Sequence, residues 1–230
     1  MVIGNGMIAN TFSSYKDDTG IVIFASGVSN SKDTNPDHYT REFSLLQKII
    51  AENKHKTIVY FSTCSIEDID LISSPYVIHK KNIENYIKEN VENYYLFRVS
   101  NLAGISNNPF TLLNFFIFSI LKEQPITVWK NAYRNIIGVE DMFAIVDHFL
   151  QEQEGINSII NIANPVNYPV GYILDCIEKH LGKKGIYNEI ERGDNYSIDV
   201  TAIDPVIKKL GIQFNDEYLP SLLKKYYHSK

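Results

Sequence analysis

Runs of apolar residues alternate along this chain with segments whose apolar residues recur at helical spacing, and that alternation constrains the fold more than any other feature. Strand followed by helix, repeated, is the mark of βαβ units and of a parallel sheet. The spacing predicts strands over 1–3, 20–25, 57–62, 94–99 and 158–163, with a short extended piece over 126–129. It predicts helices over 7–12, 40–53, 75–90, 111–122, 139–149, 170–181, 204–210 and 219–227. In the second of these Phe43, Leu46, Ile49 and Ile50 fall on one side, as an amphipathic helix requires.

Composition narrows the function classes. A chain of 230 residues with 44% apolar and 21% charged residues has material for one core, with room for a small annex. A net charge of -5 gives no reason to expect nucleic acid or an anionic membrane as a partner. Two cysteines, Cys64 and Cys176, and six histidines without ligand spacing suggest neither a disulfide framework nor a metal site. The most apolar stretch, 110–121, is too short to span a bilayer and contains Asn114. The first residues lack the basic and apolar regions of a secretory signal. A soluble cytoplasmic protein is expected.

Two motifs carry chemistry. Gly4-Asn5-Gly6-Met7-Ile8-Ala9 follows an apolar start and opens a helix. In such a loop Gly4 permits the turn, Gly6 lets backbone approach a diphosphate, and Ala9 lets helix and strand pack closely. The helix start would then face the phosphates. The competing reading is a glycine turn without a ligand. A complete dinucleotide fold places an acidic residue about 20 residues further on, to hold the adenosine ribose. Here only ten residues, Asn10 to Thr19, precede the next apolar strand, and Asp17 and Asp18 read as a solvated turn.

The second motif begins where strand 57–62 runs into Ser62, Thr63, Cys64 and Ser65. Pro75 and Tyr76 then open a helix that places Tyr76 and Lys80 four residues apart on one face. A phenol titrates near ~10, and an adjacent ammonium lowers that value, making a usable acid and base. Thr63 could orient a substrate hydroxyl. The plain alternative is a helix-surface tyrosine. His79 is expected on another face. About one such Tyr/Lys spacing is expected by chance, and a second, Tyr226 with Lys230, reads as a coincidence.

These residues resemble the extended short-chain dehydrogenase/reductases, the NAD-dependent sugar epimerases and dehydratases, from Gly20 almost to the C-terminus. The stretch 21–29, with Ala25, Ser26 and Gly27, resembles the family's strand end near the nicotinamide ribose. Ser62 and Thr63 resemble its hydroxyl strand end, and Pro75, Tyr76, Lys80 and Glu84 its catalytic helix. The run 98–104, with Arg98 and Asn101, resembles a segment whose Asn lies near substrate. The run 134–141 resembles one whose arginine, here Arg134, approaches the nucleotide diphosphate. Asn161 belongs to a later matching strand, and Arg192-Gly193-Asp194 with Asp199 resembles an element of the substrate domain. Packing roles for Arg98 and Arg134 remain the alternative.

The resemblance implies a reduced Rossmann-like α/β fold. Residues 1–104 and 133–164 would form the nucleotide-binding domain, and 105–132 with 165–230 a small substrate-binding part. It implies a nucleotide-diphospho-sugar as ligand, NAD or NADP as cofactor, and ketoreduction or epimerisation with Tyr76, Lys80 and Thr63 as the catalytic group. Gly4, Gly6, Ala9, Ala25, Ser26, Gly27 and Ser62 would hold cofactor, and Asn101, Arg134 and Arg192 substrate. The spacing departs from the family by two strands, which predicts weak dinucleotide binding. The acid pair of 4,6-dehydratases is replaced by Cys64 and Ser65, which argues against dehydration. A second reading is a degenerate member that binds nucleotide sugar without redox activity, as an assembly subunit. The family's pairing through two helices implies a homodimer, with Leu45, Ile83, Tyr86 and Ile87 as candidate contacts.

Overall fold

Alternate residues of three central strands point to two different apolar layers. In a computed structural model, which describes residues 1–227, these strands are β2 (Ile21–Phe24), β3 (Thr57–Thr63) and β4 (Tyr94–Val99). Val22, Phe24, Ile58, Tyr60 and Leu96 join one buried cluster, whereas Ile23, Val59, Phe61, Tyr95 and Phe97 join another. A sheet apolar on both faces needs helices on both faces, and parallel strands supply them through their crossovers.

With β1 (Val2–Ile3) and β8 (Ser158–Ile162), these strands form a five-stranded sheet in the order β1-β2-β3-β4-β8. Every pairing is parallel, with Val2 opposite Ile23, Ile23 opposite Val59, Val59 opposite Tyr95 and Phe97 opposite Ile160. Helices α2 (Pro36–Glu52) and α3 (Pro75–Asn90) cover one face through Leu46, Ile49, Ile50, Ile83 and Ile87. The other face is covered by α5 (Val139–Glu152), through Met142, Ile145, Val146 and Phe149, and by Val206 and Ile207 of α7 (Asp204–Leu210). The expected reduced Rossmann-like α/β fold is therefore present.

The N-terminal turn explains the reduction. Helix α1 (Met7–Thr11) is cut short, and Phe12 leaves it fully buried, with ring centroids 5.2 Å from Phe61 and 4.9 Å from Phe143. The Asp18 carboxylate then accepts the Gly20 and Ile21 N–H groups, each at 2.8 Å, and turns the chain straight into β2 beside β1. Asp18 therefore has a specific turn-forming role. Among the described residues no strand pairs with the outer edge of β1.

A second apolar cluster gathers α4 (Leu112–Leu121), α6 (Val170–Leu181), α8 (Tyr218–Tyr226) and β6 (Ile126–Trp129). Four short strands escape sequence periodicity: β5 (Asn101–Ala103), β7 (Tyr133–Gly138), β9 (Asn167–Pro169) and β10 (Tyr187–Ile190). Strand β7 runs parallel to β5 and antiparallel to β9, and β10 pairs parallel with β6. Helix α2 starts a turn earlier than the apolar spacing suggests. The Asn35 side chain accepts the Asp37 N–H at 3.0 Å, and Pro36 occupies the first turn, which together mark the helix start.

One expectation is corrected here. Ile83 and Ile87 are fully buried against the sheet, so they cannot belong to an outer contact patch. Phe43, Leu45 and Tyr86 are only partly buried, with Phe43 and Tyr86 meeting edge to face at 5.1 Å. The C-terminal residue of the second Tyr/Lys spacing, Lys230, lies outside the described residues. No helix among them is long and apolar enough to cross a membrane, and none of their His, Cys, Asp and Glu side chains cluster as a metal site.

Candidate active site

A cleft of about 280 Å³ opens where β2, β3 and β4 end, the edge at which ligands enter parallel sheets. Its lining runs from Gly6, Met7 and Ile8 through Ala25, Gly27, Val28 and Ser29 and Ser62–Ser65 to Asn101, Ser106, Asn108 and 110–112. Ser29 and Asn108 join across its mouth, with the Asn108 amide donating to the Ser29 hydroxyl at 2.9 Å.

Helix geometry delivers the central pair. Ser74 caps α3 by accepting the Val77 N–H at 3.2 Å, and Pro75 occupies the first turn, so Tyr76 stands one position inside the helix. Tyr76 and Lys80 both line the cleft, with the Lys80 ammonium 5.7 Å from the Tyr76 ring centroid. Thr63 lines it as well, at the end of β3. Burial pushes the Tyr76 phenol above its ordinary value; the Lys80 charge and the Thr63 side chain oppose this without cancelling it. The expected lowering of the phenol is thus absent from the protein alone, and Tyr76 holds its proton.

Behind this burial, the carboxylate of a residue that the sequence did not single out adds a smaller push in the same direction. Glu42 of α2 is fully buried, and its Oε1 accepts from Lys80 Nζ at 2.9 Å and from the Tyr60 hydroxyl at 2.6 Å. Its Oε2 accepts the Val28 N–H at 2.6 Å and lies 3.1 Å from His79 Nε2. Burial alone would raise this carboxyl, but the Lys80 charge and the hydrogen bonds from His79, Tyr60 and Val28 hold it well below the usual carboxylate range. Lys80 therefore acts on two groups at once, pairing with the Glu42 carboxylate and lowering the Tyr76 phenol against its burial. His79 does not face elsewhere as expected. It stands three positions after Tyr76, which brings both to one face, and it packs on Tyr39 at 4.7 Å between ring centroids. The signal for Glu42 was present: it lies four residues before Leu46, on the buried stripe of α2.

The glycines and hydroxyls expected near a cofactor fall in two groups. Gly4 has φ of +129°, and a Cβ there would stand 2.4 Å from the Ala25 carbonyl oxygen, so only glycine fits. Gly6 caps α1 and faces open space, whereas Ala9 is buried behind it. A Cβ on Gly27 would lie 2.8 Å from Lys80 Nζ, so the bare backbone there admits the ammonium. Ser26 does not appear in the cleft lining; its hydroxyl and carbonyl accept from Arg41 at 3.3 and 3.0 Å. Ser62 lines the cleft, but its hydroxyl donates to Glu84 at 2.6 Å, and Glu84 grips Arg98 through bonds of 2.9 and 2.7 Å. Arg98 is therefore a packing arginine. Ser100 also lines the cleft, and its buried hydroxyl oxygen has no hydrogen-bond partner among the described residues. Buried polar atoms are ordinarily paired, which sets this hydroxyl apart from the other polar groups of the cleft.

The expected substrate residues divide as well. Asn101 lines the cleft while its amide donates to the Asn135 carbonyl at 2.8 Å. Arg134 and Arg192 meet on one indole: their guanidinium carbons lie 5.9 and 4.1 Å from the Trp129 ring centroid. Arg134 is also 3.7 Å from the buried Asp68. Tyr196 links this group to the cleft, which it lines; burial pushes its phenol up to about 12 against the pull of Arg134. Neither Trp129 nor Tyr196 belonged to the sequence-derived site.

No protein-family model matches the chain, and no curated protein matches it in sequence. Its fold is shared with several solved structures. A UDP-glucose 4-epimerase from Thermotoga maritima, solved with UDP-glucose, superposes with a TM-score of 0.68 at 18% identity, covering 89% of this chain and 76% of that one. A UDP-glucuronic acid 4-epimerase from Bacillus cereus, solved with NAD, gives 0.66 at 18% identity over 94% of this chain and 74% of that one. A UDP-N-acetylglucosamine 4-epimerase from Methanobrevibacter ruminantium, solved with UDP-N-acetylmuramic acid, gives 0.66 at 18% identity, over 89% and 76%. At these identities the likeness establishes a common fold.

Proposed function

We propose that this protein is an enzyme that modifies a nucleotide-diphospho-sugar, by ketoreduction or epimerisation of the sugar ring, using Tyr76 as acid and base. The observation that carries the reading is the convergence of Tyr76, Lys80 and Thr63 in one cleft with Gly6 of the glycine turn, at the ligand edge of a parallel sheet. The UDP-sugar 4-epimerases that share the fold support it. In this account residues 1–104 and 133–164 carry the cofactor, and 105–132 with 165–230 close over the sugar. Part of the latter, α7, packs on the sheet-side core instead.

The cleft fits the nicotinamide end of NAD or NADP: Gly6, Gly27, Lys80 and Ser100, whose hydroxyl has no partner among the described residues, all line it. Gly6, Ala25, Gly27 and Ser62 line the cleft and would hold it, with Gly4, Ala9 and Ser26 supporting the loops. Bound there, a nicotinamide supplies hydride exchange with a sugar carbon. The protein supplies the proton: Tyr76, protonated when alone, gives it to a sugar carbonyl oxygen, or as phenolate takes it from a sugar hydroxyl. Thr63 orients that oxygen, and Lys80 steadies the phenolate while Glu42 fixes the ammonium in place. Asn101 holds the sugar, and Arg134 and Arg192 hold the diphosphate, whose geometry a guanidinium matches.

A panel of nucleotide sugars tests the binding half of this reading. At least one should raise the melting temperature, since a ligand that binds only the folded state stabilises it. Arg134→Ala should weaken that ligand by about tenfold or more, the worth of a charge-assisted hydrogen bond. If no nucleotide sugar stabilises the protein, the reading falls. The same account includes a homodimer through the outer faces of α2 and α3, where Phe43, Leu45 and Tyr86 remain partly exposed. Light scattering at micromolar concentration should give twice the chain mass, and a monomer mass would remove this part.

A further inference from the structure

We propose that the cleft grips only the nicotinamide-ribosyl-phosphate half of its cofactor and gives the adenosine half no site. This rests on the cofactor reading above and specifies which part of the molecule the protein recognises. In a complete dinucleotide fold the adenosine lies over strands beyond the first one, and a carboxylate about 20 residues after the glycine turn holds its ribose. Here β1 is the edge of the sheet, and among the described residues nothing pairs with its outer side. The chain passes from α1 through a short turn directly into β2, which occupies the place beside β1.

The carboxylates after the glycine turn cannot substitute. Asp18 is engaged with the N–H groups of Gly20 and Ile21, at the start of β2. Ligands approach at the other end, where β2 finishes in Phe24 and the cleft opens. Among the described residues no Asp or Glu lines the cleft at all. A Cβ added at Gly6 would meet nothing within 4 Å, so the backbone of the turn itself is open. Nor does Phe12, where α1 ends, offer an adenine platform, because its ring is fully buried between Phe61 and Phe143.

The other half has a built site. Ser62, Thr63, Ser65, Ser100, Tyr76 and Lys80 all line the cleft, and among the described residues the Ser100 hydroxyl lacks a partner. Polar recognition is therefore concentrated where a nicotinamide ribose and its phosphate would lie. A ligand whose second half makes no contact gains no affinity from it. NADH and the reduced nicotinamide mononucleotide should consequently bind alike, and ADP-ribose should bind poorly.

Titration calorimetry of the unmodified protein with these three compounds decides the matter. The expected result is dissociation constants for NADH and the reduced mononucleotide within about threefold of each other, with no displacement of either by ADP-ribose. NADH binding more than about tenfold tighter than the mononucleotide, or competition by ADP-ribose, would reveal an adenosine site and overturn the proposal. If neither nicotinamide compound binds, the cofactor reading itself is wrong and the inference falls with it. Nucleotide-sugar binding, measured separately, still tells that outcome from failure of the substrate assignment.

Discussion

Phenylalanine at position 76 should abolish turnover and leave nucleotide-sugar binding almost unchanged. The substitution removes one hydroxyl, the group that exchanges a proton with the sugar, and general acid–base catalysis contributes about 10²–10⁴-fold. The ring stays, and with it the packing against Val28, Ile66 and Val77. The fall should therefore appear in kcat, with the dissociation constant of the sugar nucleotide from calorimetry within about threefold of the parent. A Tyr76→Phe protein with full activity on its substrate would show that another group moves the proton. Lys80→Ala should lower activity too, but it leaves Glu42 buried without its cation, so a loss of fold accompanies the loss of rate.

Glu42→Ala should be the most damaging single change to stability. It strands the buried Lys80 ammonium, takes a partner from Tyr60 and His79, and frees the Val28 N–H that anchors the loop at the cleft. Breaking a buried pair from one side costs about 3–5 kcal/mol. Chemical denaturation should show a loss of that order, and a change below about 1 kcal/mol would mean that the network contributes little. The same carboxylate makes the fold sensitive to acid. Its folded-state pKa is depressed, so its contribution is complete above the ordinary carboxylate value. It is lost as pH falls below that value toward the depressed one. Glu42→Gln, which cannot titrate, should flatten that part of the stability profile.

How far the sequence could be read depends on how many residues carry each signal. Strands β2, β3 and β4 are long apolar runs buried on both faces, and helices α3, α6 and α7 have clear boundaries, so these were legible from spacing. The ten-residue gap after Ala9 was legible too, because no chain can fit two further strands into it. Strands β5, β7 and β9 were not. They are short, Asn101 and Asn135 interrupt their apolar pattern, and their partners lie far along the chain. Tyr76, Lys80 and Thr63 could be brought together from local rules, since a helix turn and a strand end set their positions. Glu42 could not be joined to them, because its contact with Lys80 spans 38 residues and two elements. A charged residue on the apolar stripe of α2 was the visible trace. Ile83 was misread for the opposite reason: the sequence does not say which of two apolar sides of a helix meets the sheet.

The central claim is that the Tyr76 cleft transforms the ring of a nucleotide sugar, and the direct measurement is conversion of that ring. The unmodified protein, incubated with NAD or NADP in either redox state and a panel of UDP-linked and other nucleotide sugars, is followed by proton NMR of the sugar resonances. The account predicts that at least one sugar is converted to its epimer or to the partner of a keto–hydroxyl pair, with the nucleotide left intact. Nucleotide sugars that bind the cleft but emerge unchanged under every cofactor condition would contradict it, and would leave a protein that holds such a ligand without reacting it.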